Sequence, residues 1–580
     1  MMQLSRRQFL KVSAGTVAVA AVADKALALT ALQPVVEVDN PLGEYPDRSW
    51  ERVYHDQYRY DSSFTWCCSP NDTHACRIRA FVRNGVVMRV EQNYDHQTYE
   101  DLYGNRGTFA HNPRMCLKGF TFHRRVYGPY RLKGPLMRKG WKQWMDDGSP
   151  ELTSDAKRKY KFDSRFLDDM VRVSWDTAFT YVAKGLIVIG TRYSGEAGAR
   201  RLREQGYAPE MIEMMKGAGV RTFKHRAGMP ILGMMGKHAN TRFNNCVLPL
   251  LDSWIRKVNP DQAQGGRYWN NYTWHGDQDP SQPWWNGTQN CDVDLSDMRF
   301  TKLNTSWGKN FVENKMPEAH WKLESMERGA RLVVITPEYN PTASRADYWI
   351  PVRPETDGAL FLGASKIILD ENYQDIEFIK GFTDMPLLVR TDTLQYLDPH
   401  EVLKDYRVPD FTKSYSGRVQ GLTQDQVQRL GGMMVWDLAK GKAVPLHREQ
   451  VGLHLAQSGI DPALTGTYRV KLLNGREVDV MPIYQLYTIH LQDYDLDTVH
   501  QVNRSPKDLI VRWARDCGTV KPAAIHNGEG VCHYFHMTSM GRAAALVMML
   551  TGNIGKFGTG CHTWSGNYKV GIWQAAPWSG

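Results

Sequence analysis

Residues 67–119, CCSPNDTHACRIRAFVRNGVVMRVEQNYDHQTYEDLYGNRGTFAHNPRMCLKG, carry the pattern from which the rest of the chain is read. Cys68, Asp72 and Cys76 stand at even intervals, and Cys116 follows a long excursion and opens Cys-Leu-Lys-Gly. Structural zinc sites pair their ligands at spacings of two to four, and the two nearer cysteines here have seven residues between them. Iron–sulfur clusters take ligands scattered along a chain, and an oxygen or nitrogen ligand in place of one thiolate alters charge and potential. The four positions therefore read as a cage for an iron–sulfur cluster. The alternative is a set of buried thiols or a disulfide pair. Between the ligands, 77–83 and 86–91 flank Asn84-Gly85, the strongest short hairpin signal, which puts the cage at the root of a small β-ribbon.

At 580 residues the chain exceeds one hydrophobic core and requires several domains. Its composition is globular, with 42% hydrophobic and 23% charged residues. The net charge of +10 comes from basic residues interspersed with 62 acidic ones, so it points to an anionic cofactor or substrate and not to nucleic acid. Ser5-Arg6-Arg7-Gln8-Phe9-Leu10-Lys11, a weakly apolar 12–22 and Ala26-Leu27-Ala28 form a twin-arginine export signal over 1–28. The apolar part is too short for a membrane span. Export to the periplasmic side as a folded unit lets cluster thiolates escape the disulfide fate of exported cysteines.

Further along, 41–60 reads as an extended arm and 141–164 as a charged linker. Apolar residues recur at helical spacing over 175–189, and 195–215 reads as one or two helices. The stretch 265–280, GGRYWNNYTWHGDQDP, lacks periodicity and reads as a loop able to present an acidic side chain. Two short β-branched runs, 329–337 and 348–352, followed by a helix over 359–369 capped by Thr356, imply an open α/β sheet whose ligands bind beyond the strand ends. Thr336, Glu338, Thr356 and Asp357 are then placed to grip a nucleotide. Residues 373–471 are polar, with little chemistry to read. The last block, AIHNGEGVCHYFH at 524–536 and GNIGKFGTG at 552–560, puts Gly528, Gly530, Gly552, Gly555 and Gly558 where backbone amides can approach a phosphate. It has no nicotinamide fingerprint, and the chain shows no Walker loop, HExxH helix or nucleophile elbow.

The runs SPNDTHACRIRAFVRNGV, NPRMCLKGFTFHRRVYGPYR, NYTWHGDQDP and AIHNGEGVCHYFH resemble the dimethyl sulfoxide reductase family of molybdenum bis(molybdopterin guanine dinucleotide) oxidoreductases, in its nitrate reductase branch. Within that branch they are most similar to nitrite-oxidising members. The resemblance implies an α/β, multidomain molybdopterin oxidoreductase fold, with a 4Fe-4S domain over 47–135 and α/β dinucleotide-binding domains over 165–580. It implies Cys68, Asp72, Cys76 and Cys116 as 4Fe-4S ligands, Asp277 as molybdenum ligand with Asp279 as fallback, and Lys118 between cluster and pterin. Asn71 and His533 are implied to orient the oxyanion, and the basic stretch 114–142 to face pterin pyrophosphates. The implied reaction is oxidation of nitrite to nitrate, with electrons leaving through the cluster to an iron–sulfur beta subunit and a haem-containing gamma subunit. The alternatives are a reductase of nitrate, selenate, chlorate or perchlorate, or a non-catalytic iron–sulfur scaffold. The chain departs from the family at two points. Members often have His where Cys68 stands and Cys where Asp72 stands, which keeps Cys67 and His74 as substitute ligands. Family chains also continue into a cofactor-capping domain with no counterpart after Gly566, which suggests an N-terminal fragment.

Overall fold

The computed structural model describes residues 49–68, 76–93, 115–165, 167–227, 239, 242–270, 295–408, 423–447, 450, 452–528, 530–531 and 534–562. The chain divides into two units, 1–61 with 82–89, and 62–81 with 90–580. In the first, Ser49–Tyr58 forms helix α1 where the sequence suggested an extended arm. Arg83 Nη1 donates to Asp56 Oδ2 at 2.8 Å, and the Arg89 guanidinium lies over the Tyr58 ring at 4.7 Å. Asn84 (φ 49°) and Gly85 (φ 75°) are both left-handed, as the expected two-residue hairpin turn requires.

The second unit begins with strand β1 (Ser62–Cys68). It forms a sheet in the order β1-β2-β3 with β2 (Cys76–Arg83) and β3 (Val86–Gln92), whose turn-proximal ends belong to the first unit. Along β2, Cys76, Ile78 and Ala80 alternate into the interior. Helix α2 (Leu117–Val126) follows, with Cys116 at its N-cap.

The expected linker at 141–164 is instead folded. Helices Lys139–Asp146 and Ser154–Lys159 bring Trp144, fully buried, against Trp141 and Phe162 at ring distances of 5.1 and 5.7 Å. Helix α3 (Trp175–Arg192) starts where Ser174 Oγ accepts from the Thr177 amide at 3.1 Å, the N-cap arrangement that its serine supplies. Helices Gly195–Glu204 and Pro209–Met215 match the expectation for 195–215. The first residues of the expected loop at 265–280 depart from it, since Arg267–Asn270 pairs in parallel with Lys224–Ala227.

The main sheet has five parallel strands in the order β6-β5-β4-β7-β8, with β4 Leu303–Trp307, β5 Arg331–Thr336, β6 Tyr348–Pro351, β7 Ala523–Asn527 and β8 Gly560–His562. Helix α4 (Met316–Glu327) links β4 to β5, α5 (Asp357–Asp370) follows β6, α6 (Lys507–Thr519) precedes β7, and α7 (Met537–Leu550) links β7 to β8. One face of the sheet carries Leu303, Trp307, Val333, Ile335, Ile350 and Ile525 into a core shared with α5, α6 and α7. There Phe361 stands edge-on to Trp307 at 4.7 Å and to Trp513 at 5.6 Å.

Between α5 and α6 the chain builds a separate antiparallel part. It consists of a sheet of Leu388–Arg390, Glu477–Pro482 and Tyr468–Lys471 beside a hairpin of Gly432–Asp437 and Lys442–His447. Its core of Leu388, Leu397, Met434 and Val470, joined by Val480, lies largely in the stretch 373–471 that read as polar.

Candidate cofactor site

The described residues singled out in sequence fall at the small sheet and at the two edges of the main sheet, all in the second unit. At the small sheet, Cys68 closes β1 and Cys76 opens β2, both 3% exposed, and Cys116 is half-buried at the start of α2. Gln92 and Asn93, at the end of β3, lace these segments together. Met115 N donates to Gln92 Oε1 at 2.5 Å, and Gln92 Nε2 donates to Arg77 O at 3.1 Å. Asn93 Nδ2 donates to Thr65 Oγ1 at 2.9 Å. Each of the three cysteine-bearing segments is thus tied within a few residues of its thiol. Ile78, two along β2 from Cys76, reaches the first turn of α2, where a Cβ on Gly119 would stand 3.1 Å from its Cδ1. Among the described residues no three of His, Cys, Asp and Glu stand together as a metal site. Asn71, Asp72 and His74 lie outside the described residues, and Lys118 is exposed in the first turn of α2.

The second place is the carboxyl edge of the main sheet. From β4 the chain proceeds outward through β5 and β6, then returns to place β7 and β8 on the other side of β4. The reversal falls between β4 and β7, and open parallel sheets bind ligands beyond the strand ends at such a point. Both strands leave through glycine. Gly528 N donates to Trp307 O at 2.8 Å, and a Cβ on Gly528 would stand 2.3 Å from Gly308 O. A Cβ on Gly530 would stand 3.1 Å from the same oxygen, and Gly308 itself has φ +57°.

Asp357 is buried at the first residue of α5, its Oδ1 accepting from Trp307 Nε1 at 2.7 Å. Burial holds its carboxyl above the usual carboxylate range, against the lowering effect of the Trp307 bond. Thr336 Oγ1 donates to Glu338 O at 2.7 Å and Thr356 Oγ1 to Arg353 O at 2.6 Å, so both hydroxyl hydrogens are committed within their own loops. Thr356 holds the N-cap of α5 as expected, but its side chain accepts no capping bond.

Gly552, Gly555 and Gly558 are not gathered with Gly528 and Gly530. They lie in the turn from α7 to β8, at the amino edge of the sheet, with φ of +66°, +76° and +76°. Gly558 N donates to Asp297 Oδ2 at 2.6 Å, and its carbonyl accepts from Thr301 Oγ1 at 2.9 Å. Asp277, Asp279 and His533 lie outside the described residues.

Sequence reasoning passed over Lys309, Lys322 and His526. Lys309 is buried and follows the Gly308 exit, its ammonium 5.0 Å from the Phe311 ring centroid. Lys322 of α4 reaches the same ring at 4.4 Å and donates to Ser306 Oγ at 2.7 Å. His526 is 1% exposed, and among the described residues neither of its ring nitrogens has a hydrogen-bond partner. The available signal was the glycine and lysine, Gly308 and Lys309, directly after Trp307, since only Leu303 and Trp307 are apolar within 303–307. Strand exits without Cβ atoms, buried lysines and an unsatisfied imidazole fit a phosphate-bearing cofactor at this edge.

A doubly wound parallel sheet with such a switch point, preceded by a small cysteine-bearing sheet, defines a cofactor-binding α/β protein. Residues 131–571 match the molybdopterin oxidoreductase family, and the chain belongs to it. Residues 3–23 match the twin-arginine translocation signal, the address of a protein exported to the periplasmic side. Among the described residues no helix is long and apolar enough to cross a membrane. Over 576 residues the chain is 26% identical to the perchlorate reductase subunit alpha of Dechloromonas aromatica, covering 98% of this chain and 53% of the relative. Over 549 residues it is 28% identical to the respiratory nitrate reductase subunit alpha of Haloferax mediterranei, covering 93% and 46%. Among solved structures, acetylene hydratase from Pelobacter acetylenicus aligns with a TM-score of 0.42 at 14% identity, over 84% of this chain and 43% of that one. The chain spans about half the length of the relatives it matches.

Proposed function

We propose that this chain belongs to the catalytic alpha subunit of an exported oxyanion reductase that binds molybdenum as bis(molybdopterin guanine dinucleotide) and carries one 4Fe-4S cluster. The supporting observation is the switch point between β4 and β7, with its Gly308 and Gly528 exits, inside the segment that matches the molybdopterin oxidoreductase family. When bound, the molybdenum centre supplies two-electron oxygen-atom exchange with a small anion. The chain supplies position and charge. Gly308, Lys309, Gly528 and Gly530 would hold the dinucleotide at the carboxyl edge, with Asp277 as metal ligand and His533 and Asn71 toward the oxyanion. Cys68, Cys76 and Cys116, with Asp72, would hold the cluster, and Lys118 would stand on its pterin side. The relatives are named as alpha subunits, so an iron–sulfur beta subunit and a haem-containing gamma subunit complete the proposed complex. The exposed Trp175, Phe179 and Val182 on one side of α3 offer an apolar surface for such contacts.

The relatives named above reduce perchlorate and nitrate, which favours the reductase over the nitrite oxidation suggested by sequence. Nitrite oxidoreductase stands as the second reading because of the likeness of the sequence runs 271–280 and 524–536. The intact complex decides between them. With a reduced artificial donor it should consume nitrate, chlorate or perchlorate at least about tenfold faster in kcat/KM than it oxidises nitrite with an acceptor, a gap of about 1.4 kcal/mol. The opposite ratio, with label from water appearing in nitrate, establishes the nitrite reading.

A further inference from the structure

The antiparallel part between α5 and α6 contains a cavity lined by none of the residues assigned to cofactor, cluster or oxyanion. Its volume is about 360 Å³, and Val389, Leu394, Tyr396, Ile483, Leu486 and Tyr487 form its apolar wall. Small-molecule sites fall roughly between 300 and 1,000 Å³. One side of the cavity is the turn that follows the strand Leu388–Arg390, and the other is the helix Ile483–His490.

The turn is pinned. Arg390 N donates to Gln395 O at 2.8 Å and Leu394 N to Arg390 O at 2.9 Å. The Arg390 guanidinium donates to Asp392 Oδ2 at 2.8 Å and to Glu401 Oε1 at 2.7 Å. Leu394 is thereby held at φ 55°, a left-handed conformation unfavourable for leucine, with its side chain 70% exposed. Tyr396 is exposed beside it. A strained turn that keeps two large apolar side chains open to solvent gains nothing in packing and points to a ligand.

Two charges of opposite sign stand at this wall. Asp384 is open to solvent, yet burial by the protein around it holds its carboxyl above the usual carboxylate range, against the lowering effects of its own amide and of Arg542. A side chain combines the two only on a concave surface. Burial likewise holds the Tyr396 and Tyr487 phenols above their usual range, and both also sense the Asp384 carboxylate, which raises them, and the exposed Arg542 of α7, which lowers them. Among the described residues Asp384 and Arg542 form no ion pair, with each other or elsewhere. A charged ligand would be attracted by one of them and repelled by the other. An uncharged group with one donor and one acceptor satisfies both, and the tyrosine rings favour a flat body.

We propose that this cavity binds an uncharged, flat, largely apolar molecule carrying an amide-like donor and acceptor, the acceptor toward Arg542, the donor toward Asp384 and the body between Leu394, Tyr396 and Tyr487.

The site is independent of the function proposed above, and its test uses the full chain as purified. Isothermal titration near neutral pH compares naphthalene-2-carboxamide with naphthalene-2-carboxylate and 2-naphthylmethylamine. The carboxamide should bind once per chain, at least about tenfold more tightly than either charged analogue. Arg542→Gln removes a guanidinium that is exposed and has no ion pair, so it should weaken the carboxamide about tenfold and leave the melting temperature unchanged. Leu394→Gly removes part of the wall and relieves the left-handed backbone, so it should weaken binding about fivefold while melting no lower than the parent. Absence of carboxamide binding, preference for either charged analogue, or parental affinity in both variants overturns the site.

Discussion

Asp357 shows how a residue at the right edge of the sheet turns out to face inward. In sequence it belonged with Thr336, Glu338 and Thr356 as a nucleotide contact, because all four follow strands. The structure places them at the expected edge, yet the Asp357 carboxylate lies under Trp307, and the bond it makes there only partly offsets its burial. Its raised folded value gives a signed expectation. Below the ordinary carboxylate range the buried carboxyl is protonated and its stability contribution is complete, and that contribution is lost as pH rises through the raised value. Asp357→Asn keeps an oxygen acceptor for the Trp307 indole and removes the buried charge. It should therefore melt above the parent at pH 7, with the difference closing as pH falls toward 4. An equal gap at both pH values would mean that the charge is not what burial opposes.

At the level of single elements, what could be read early depended on how local its cause is. The β2–β3 hairpin was legible because Asn84-Gly85 fixes its turn without outside help, and α3 because Ser174 and a regular apolar spacing specify it. The folded segment 139–159 was missed because its stability comes from Trp144 meeting Phe162, a contact that its charged composition conceals. Glycine density marked two backbone approaches but could not assign them to edges, since the edge depends on strands far away in sequence. The elements give two expectations. Gln92→Leu leaves the buried Met115 amide without its acceptor, costing about 1–3 kcal/mol and loosening the segment that carries Cys116. Iron content should fall partly, whereas Cys76→Ser should abolish the paramagnetic signal of the proposed cluster. Full iron in both variants would refute the cage. Gly528→Ala puts a methyl 2.3 Å from Gly308 O, against backbone that cannot rotate away. A cost of about 1–3 kcal/mol and loss of bound pterin are expected, while Gly555→Ala, with nothing within 4 Å of the new methyl, should retain pterin and pay only for its positive φ.

For the molecule as a whole, the fold class was visible in short β-branched runs and the family in four sequence runs, but the order of the sheet was not. Nothing near 303–307 announces that its partner is 523–527, because the intervening antiparallel part separates them and has a core of its own. Thr301 and Gly558 share a hydrogen bond although 257 residues apart in sequence. At about 5–20 residues per second, roughly 10–50 s of synthesis separate them. For that interval β4 is an edge strand with one side unpaired, the kind of edge that invites wrong partners. Nascent chains stalled after β6 should accordingly be cut by protease within 303–351, and chains stalled well beyond 562 should resist. Equal resistance would show that half a sheet stands alone. Meanwhile the address at 3–23 has already left the ribosome, for a route that accepts finished proteins. The same topology that makes a ligand crevice between β4 and β7 therefore creates a waiting period, in which the cell must keep a legible destination from being acted on before there is anything complete to send.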